Sequence, residues 1–243
     1  MNRVYIKGIG IFPFVSRRQL ADYVARYPGI LVAVNAEKII NQTPVTRGMI
    51  NRNIGYCDGA GPLMLLRKKG YVDAVKVAGC ELWLTLVERF YRHKTFYLVG
   101  CRQTVIDETV AKLRKQFEGI RIVGWRNGYI ADSAEREALI DDIVQKRPDM
   151  VFVAMGSPRQ ELLMEEMQRR HRAIYQGLGG SFDVYTGRVR RAPEWWVGHN
   201  VEWLYRLMHQ PSRLKRQLKL AKFAWWILRE RQATNSSDTD ITK

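Results

Sequence analysis

Residues Val151–Glu161 read VFVAMGSPRQE: an unbroken apolar run, a Gly-Ser-Pro turn, then polar helix formers. A short run rich in Val and Phe that stops at such a turn predicts a buried strand leading into a helix. Pro158 fits the first helical position, where its missing N–H costs nothing, so the backbone N–H groups of the first turn are expected to face an anion. Gln160 and Glu161 fall in that turn, where side chains either reach into a site or cap the helix.

The same unit recurs on both sides of this stretch. Strands are predicted at Ile30–Val34, Ile54–Cys57, Val75–Val77, Phe96–Val99, Arg121–Gly124, Met150–Met155 and Ile174–Leu178. Between them, helical patterns fall near 60–69, 80–93, 103–118, 132–146 and 157–171, with Asp132-Ser133 and Ser157-Pro158 as start signals. This alternation predicts an α/β fold: a mostly parallel, Rossmann-like sheet flanked by helices on both faces. Ligands of such sheets bind beyond the carboxyl ends of the strands, so the loops after the strands are where chemistry is sought. GLGGSFD, at Gly177–Asp183, is a second glycine-rich strand exit, but it lacks the dinucleotide glycine spacing, and no Walker sequence is present.

A third exit, IGYCDGAG at Ile54–Gly61, delivers Asp58 at the end of a strand. An Asp there suits a general base, a metal ligand or a helix cap. Metal chemistry has little else to use. The only Asp-x-Asp, Asp238–Asp240, lies in a polar tail, and His93, His171, His199 and His209 show no ligand spacing. Three cysteines, Cys57, Cys80 and Cys101, without a Cys-x-x-Cys pair, are expected as reduced thiols. No metal and no cofactor are expected.

The chain has 243 residues, 46% hydrophobic and 26% charged, which is ordinary globular composition. Its charge is not ordinary: 40 Lys+Arg against 24 Asp+Glu give +16, which predicts an anionic partner. Residues 188–231 hold eleven basic and three acidic side chains, whereas residues 1–187 hold 28 and 19. The division expected is therefore an α/β catalytic domain at 1–187, a basic appendage at 188–231 and a disordered tail at 232–243. Within the appendage, Leu214, Leu218, Ala221, Trp225 and Leu228 recur at helical spacing beside Lys215, Lys219, Lys222 and Arg229, with Trp226 adjacent. A basic amphipathic helix bearing Trp predicts contact with an anionic membrane surface through Lys215, Lys219, Lys222, Trp225 and Trp226. Its plainer alternative is a terminal helix packed on the sheet with a solvated basic face. A nucleic-acid-binding module is the distant alternative, since no matching motif accompanies the charge. The N-terminal twenty residues, interrupted by Pro13 and Arg17-Arg18, do not read as a signal peptide, and no apolar run approaches the ~20 residues of a membrane-spanning helix.

LVAVNAEKI, YCDGAG, FYLVG, VFVAMGSPRQE, GLGGSFDVYTGRVRRAP and EWLYRLMHQPSRLKRQ, in this order over roughly residues 30–231, together resemble the WecG/TagA/CpsF family of bacterial glycosyltransferases. The resemblance implies a metal-independent, inverting transferase, peripheral on the cytoplasmic face of the bacterial inner membrane. The donor implied is a UDP-sugar, with UDP-N-acetylmannosaminuronate first and UDP-galactose, UDP-glucose or UDP-N-acetylmannosamine as alternatives. The acceptor implied is N-acetylglucosamine linked through diphosphate to polyprenol, in O antigen or enterobacterial common antigen synthesis. By the same resemblance Asp58 is the base, and Asn35, Lys76, Tyr129, Gln160 and Asp183 lie around the donor. Arg206, Arg213 and Arg216 would close over the acceptor diphosphate. The chain departs from its relatives at Lys76, where many have Arg, at Ala33, where some have Thr, and in GAGPL after Asp58. A point charge in place of a planar fork bears on which donor is taken more than on the reaction class. The sequence is compatible with a homo-oligomer and does not fix its order.

Overall fold

The computed structural model describes residues 1–189 together with 193 and 196. The chain opens with a small antiparallel hairpin, β1 (Val4–Ile6) and β2 (Ile9–Ile11), and helix α1 (Arg17–Arg26). It continues through β3 (Ile30–Val34), α2 (Ala36–Ile40), α3 (Pro44–Arg52), β4 (Ile54–Cys57), α4 (Ala60–Lys68) and α5 (Gly79–Phe90). Then come β5 (Thr95–Gly100), α6 (Gln103–Gln116), β6 (Arg121–Arg126), α7 (Ser133–Lys146), β7 (Met150–Ala154), α8 (Arg159–Arg170), β8 (Ile174–Gly177) and α9 (Ser181–Tyr185).

Six strands form one all-parallel sheet in the order β4-β3-β8-β7-β5-β6. Every residue of β7 is buried, as a strand covered on both faces requires. One apolar cluster packs the hairpin and helices α2, α3, α4, α7 and α8 on one face. The other, with Trp83 against Phe152, Phe182 and Tyr185, packs α1, α5, α6 and α9 on the opposite face. Sequence periodicity thus located the sheet and its five long crossover helices.

Three expectations need correction. Val75–Val77 is not a strand; it runs beside the sheet edge with two separated bonds, Val75 N to Phe14 O at 3.0 Å and Val77 N to Cys57 O at 2.8 Å. Its β-branched residues serve packing (Val77 is 1% exposed), without a ladder. Pro158 is the residue before α8, not its first helical residue. Finally, the first 29 residues, which carried no predicted element, form the hairpin and α1. Phe12 N donates to Gly55 O at 2.8 Å, so this segment also covers the outer edge of β4.

Candidate active site

The predicted catalytic and donor residues gather toward the carboxyl ends of the strands. β3 and β4 pair in register, Val34 with Cys57, so the next residues, Asn35 and Asp58, leave the sheet side by side. Asp58 N donates to Val34 O at 2.9 Å, extending the pairing one residue past the strand. Asn35 caps α2, its Oδ1 accepting from Lys38 N at 2.9 Å, which leaves the amide nitrogen as the donor end. Asp58 itself stands one residue before Gly59, the N-cap of α4. Both Asn35 and Asp58 are half-buried.

Lys76 returns to the same place. Val77 N binds Cys57 O, and the Cys57 thiol feels both charges. Burial first and Asp58 second push that thiol up, Lys76 and Arg67 pull it back, and it ends at about 12. Beneath them Tyr56 is fully buried, and burial first, then Asp58, holds its hydroxyl well above the ordinary tyrosine range. Among the described residues Gln176 Oε1 finds no hydrogen-bond partner, while Gln176 Nε2 donates to Gly79 O at 3.0 Å and the Gln176 amide offsets part of the rise at the Tyr56 hydroxyl.

Gln160 is no surface ligand. It is 6% exposed, and its Oε1 accepts from Gly156 N at 3.1 Å and from Gly179 N at 2.9 Å. One amide oxygen therefore joins the exits of β7 and β8. The arrangement demands glycine at 177, where an added Cβ would lie 2.4 Å from Gln160 Nε2. Beside it Glu161 is 2% exposed and pairs with Lys38 at 2.8 Å, and Lys38 Nζ also donates to Ala33 O at 3.1 Å. Among the described residues Glu161 Oε2 has no hydrogen-bond partner. The Lys38–Glu161 pair is the part that sequence reasoning missed. Its members are 123 residues apart, and no local spacing announces them.

The remaining candidates lie further along the same edge. β5 and β7 are neighbours whose connections leave in opposite directions, the crossing point at which open α/β sheets hold ligands. Asp183, half-buried in α9, faces this point, since its charge, after burial, raises the Cys101 thiol toward about 12. Tyr129 follows β6, is 66% exposed, and donates its backbone N–H to Asn127 Oδ1 at 2.9 Å. Five strand steps separate β4 from β6, roughly 24 Å at about 4.8 Å each, so Asp58 and Tyr129 do not share one first contact shell. Arg206, Arg213, Arg216, Lys215, Lys219, Lys222, Trp225 and Trp226 lie outside the described residues, as do all but four residues of the 188–231 segment and the tail at 232–243.

Among the described residues no three His, Cys, Asp or Glu side chains come together as a metal cluster, and no helix is long and apolar enough to cross a membrane. The fold and this edge define an α/β protein with a half-buried carboxylate set beside an amide donor and a lysine at the strand ends. A match to the glycosyl transferase WecG/TagA/CpsF family spans residues 11–237 of the 243. The chain belongs to that family, and is a glycosyltransferase.

Proposed function

We propose that this protein is an inverting transferase that moves a sugar from a UDP-sugar onto polyprenyl-diphosphate-linked N-acetylglucosamine in the synthesis of a bacterial surface polysaccharide. UDP-N-acetylmannosaminuronate is the donor we favour, and O antigen or enterobacterial common antigen is the product class. The observation that carries the reading is the pairing of Asn35 with Asp58 at adjacent strand ends, with Lys76 beside them. In this reading the Asp58 carboxylate takes the proton of the acceptor hydroxyl. The hydroxyl oxygen bonds to the anomeric carbon from the face opposite the leaving group. The bond from that carbon to the phosphate oxygen breaks, and UDP departs with the electron pair. General-base help of this kind is worth about 10²–10⁴ in rate.

Charge on the departing diphosphate is met by Lys76, the Asn35 amide and helix N-termini, and the reaction needs no metal ion. Gln160 acts through the backbone: it sets the glycine turns after β7 and β8, against which the nucleotide lies with Asp183 and Tyr129. Arg206, Arg213 and Arg216 hold the acceptor diphosphate, and the basic segment 188–231 keeps the enzyme at the inner face of the cytoplasmic membrane.

The test incubates the protein with a synthetic N-acetylglucosamine–diphosphate–lipid and a panel of UDP-sugars and identifies the product by mass. A disaccharide of inverted configuration formed with UDP-N-acetylmannosaminuronate is expected. A product with another UDP-sugar alone replaces the donor. No product with any donor, together with no thermal stabilisation by millimolar UDP, overturns the reading.

A further inference from the structure

Helix α4 and the loop that ends it carry a surface that the proposed chemistry does not use. Pro62, Leu65 and Leu66 face the core. Met64, Arg67 and Lys68, spaced i, i+3 and i+4, lie on the other side and are exposed. The helix closes with a pair of backbone bonds around Gly70, whose φ of 90° favours glycine: Gly70 N to Arg67 O at 3.0 Å and Tyr71 N to Leu66 O at 3.1 Å. These bonds fix Tyr71 and Val72 just past the last turn, 40% and 65% exposed, next to exposed Lys69. From Ala60 to Asp73 the chain has three basic side chains and one acidic, Asp73, at its far end.

Aliphatic tips held in water beside three cations have the composition of an interfacial membrane element. A nucleic-acid strand would use the cations but gain little from Met64 and Val72, whereas a bilayer takes both. We propose that α4 and the Tyr71-Val72 loop dock on an anionic lipid surface, so that the catalytic domain touches the membrane independently of the basic C-terminal segment. The inference rests on the reading of the acceptor as lipid-linked, and the position of the surface suits that acceptor. α4 starts two residues after Asp58 and runs nine residues, about 14 Å at 1.5 Å per residue. Arg67 near its far end still acts on the Cys57 thiol beside Asp58. With this surface on the headgroups, a sugar carried on a membrane-bound diphosphate lies within a helix length of the base.

The experiment uses the full chain with phosphatidylcholine vesicles, with and without phosphatidylglycerol. Hydrogen exchange in peptides covering residues 60–73 should slow on the anionic vesicles and stay unchanged on the neutral ones. The triple variant R67Q/K68Q/K69Q should bind anionic vesicles more weakly, by about fivefold per charge and roughly a hundredfold together, with its thermal stabilisation by UDP intact. Tyr71→Ser with Val72→Ser should weaken binding while leaving its salt dependence unchanged. Failure of the wild-type chain to bind the vesicles, binding without protection of 60–73, or wild-type affinity in the triple variant overturns the proposal. So does a loss in that variant of affinity for a DNA oligonucleotide with vesicle affinity retained. Transfer to a short-chain, water-soluble acceptor, measured in parallel, separates the two readings: its absence with every donor sinks the proposed activity and leaves the vesicle result standing.

Discussion

The β3/β4 corner and the β5/β6/β7 end of the strand edge are built in opposite ways. At the corner, charged and polar side chains are half-buried and tied together: Asn35 caps α2, Lys38 binds Ala33 O and Glu161, and Asp58 continues the sheet pairing. At the other end glycine backbones crowd one another, with a Cβ on Gly128 set to fall 3.0 Å from Gly100 Cα, and Tyr129 stands in solvent. A corner that holds charges in place suits a proton transfer, which needs fixed distances. An open, glycine-lined end suits a ligand that must enter and leave. Gln160 is the joint between them.

The largest effect expected from breaking this contrast is at Asp58. Asp58→Asn should lower transfer by about 10²–10⁴ with an unchanged unfolding transition and unchanged stabilisation by UDP. Near wild-type turnover would move the base elsewhere. Next comes the corner's buried pair. Lys38→Met leaves Glu161 buried without its partner and should cost about 3–5 kcal/mol in urea unfolding, while Lys38→Met with Glu161→Leu should recover much of that loss. Equal losses in the single and double variants would show that the pair does not act as a unit.

The joint should respond less, and in both regions. Gln160→Ala leaves Gly156 N and Gly179 N without an acceptor and should cost about 2–3 kcal/mol, with KM for the donor raised more than kcat is lowered. An effect on kcat alone would place Gln160 with the corner only. The smallest effect lies at the amino ends of the strands, away from the site, as a control. Burial works against the Asp149 carboxylate, but hydrogen bonds from Thr95 and Lys94 outweigh it and hold its pKa below the usual range. A lowered value stabilises the fold above the unfolded carboxylate pKa near 3.9, and the gain disappears as pH falls through the folded value. Asp149→Asn should therefore cost about 1 kcal/mol at pH 7, reduced by the site's partial exposure, and its Tm should converge with the wild type in stronger acid. A constant difference at every pH would contradict this assignment.

The legibility of the molecule follows the range of its interactions. VFVAMGSPRQE showed strand, turn and helix because apolar runs and turn residues act over a few positions, and Asp132 capped α7 as its place before Ser133 suggested. Val75–Val77 misled because β-branched residues pack equally well beside a sheet edge as within a ladder. The hairpin was not legible because three-residue strands leave too little periodicity to count, whereas α1, ten residues long and capped by Ser16, did carry a start signal in the sequence. Within the site, Asp58 stood out as a polar residue at a strand exit, and the family resemblance named it the base. The same motif that made Gln160 conspicuous did not reveal that its oxygen faces two backbone N–H groups.

By itself the sequence determined the fold class, the strand exits that carry polar residues, the family, and the concentration of charge beyond residue 187. Each of these is written in local pattern or composition, which burial and backbone geometry translate directly. Only the tertiary structure decided that β3 and β4 end in register, that Lys38 reaches a glutamate 123 positions away, and that Asp58 and Tyr129 stand at opposite ends of the edge. Strand order and long-range contact arise when the whole chain closes around two apolar cores, and no window of sequence contains that information.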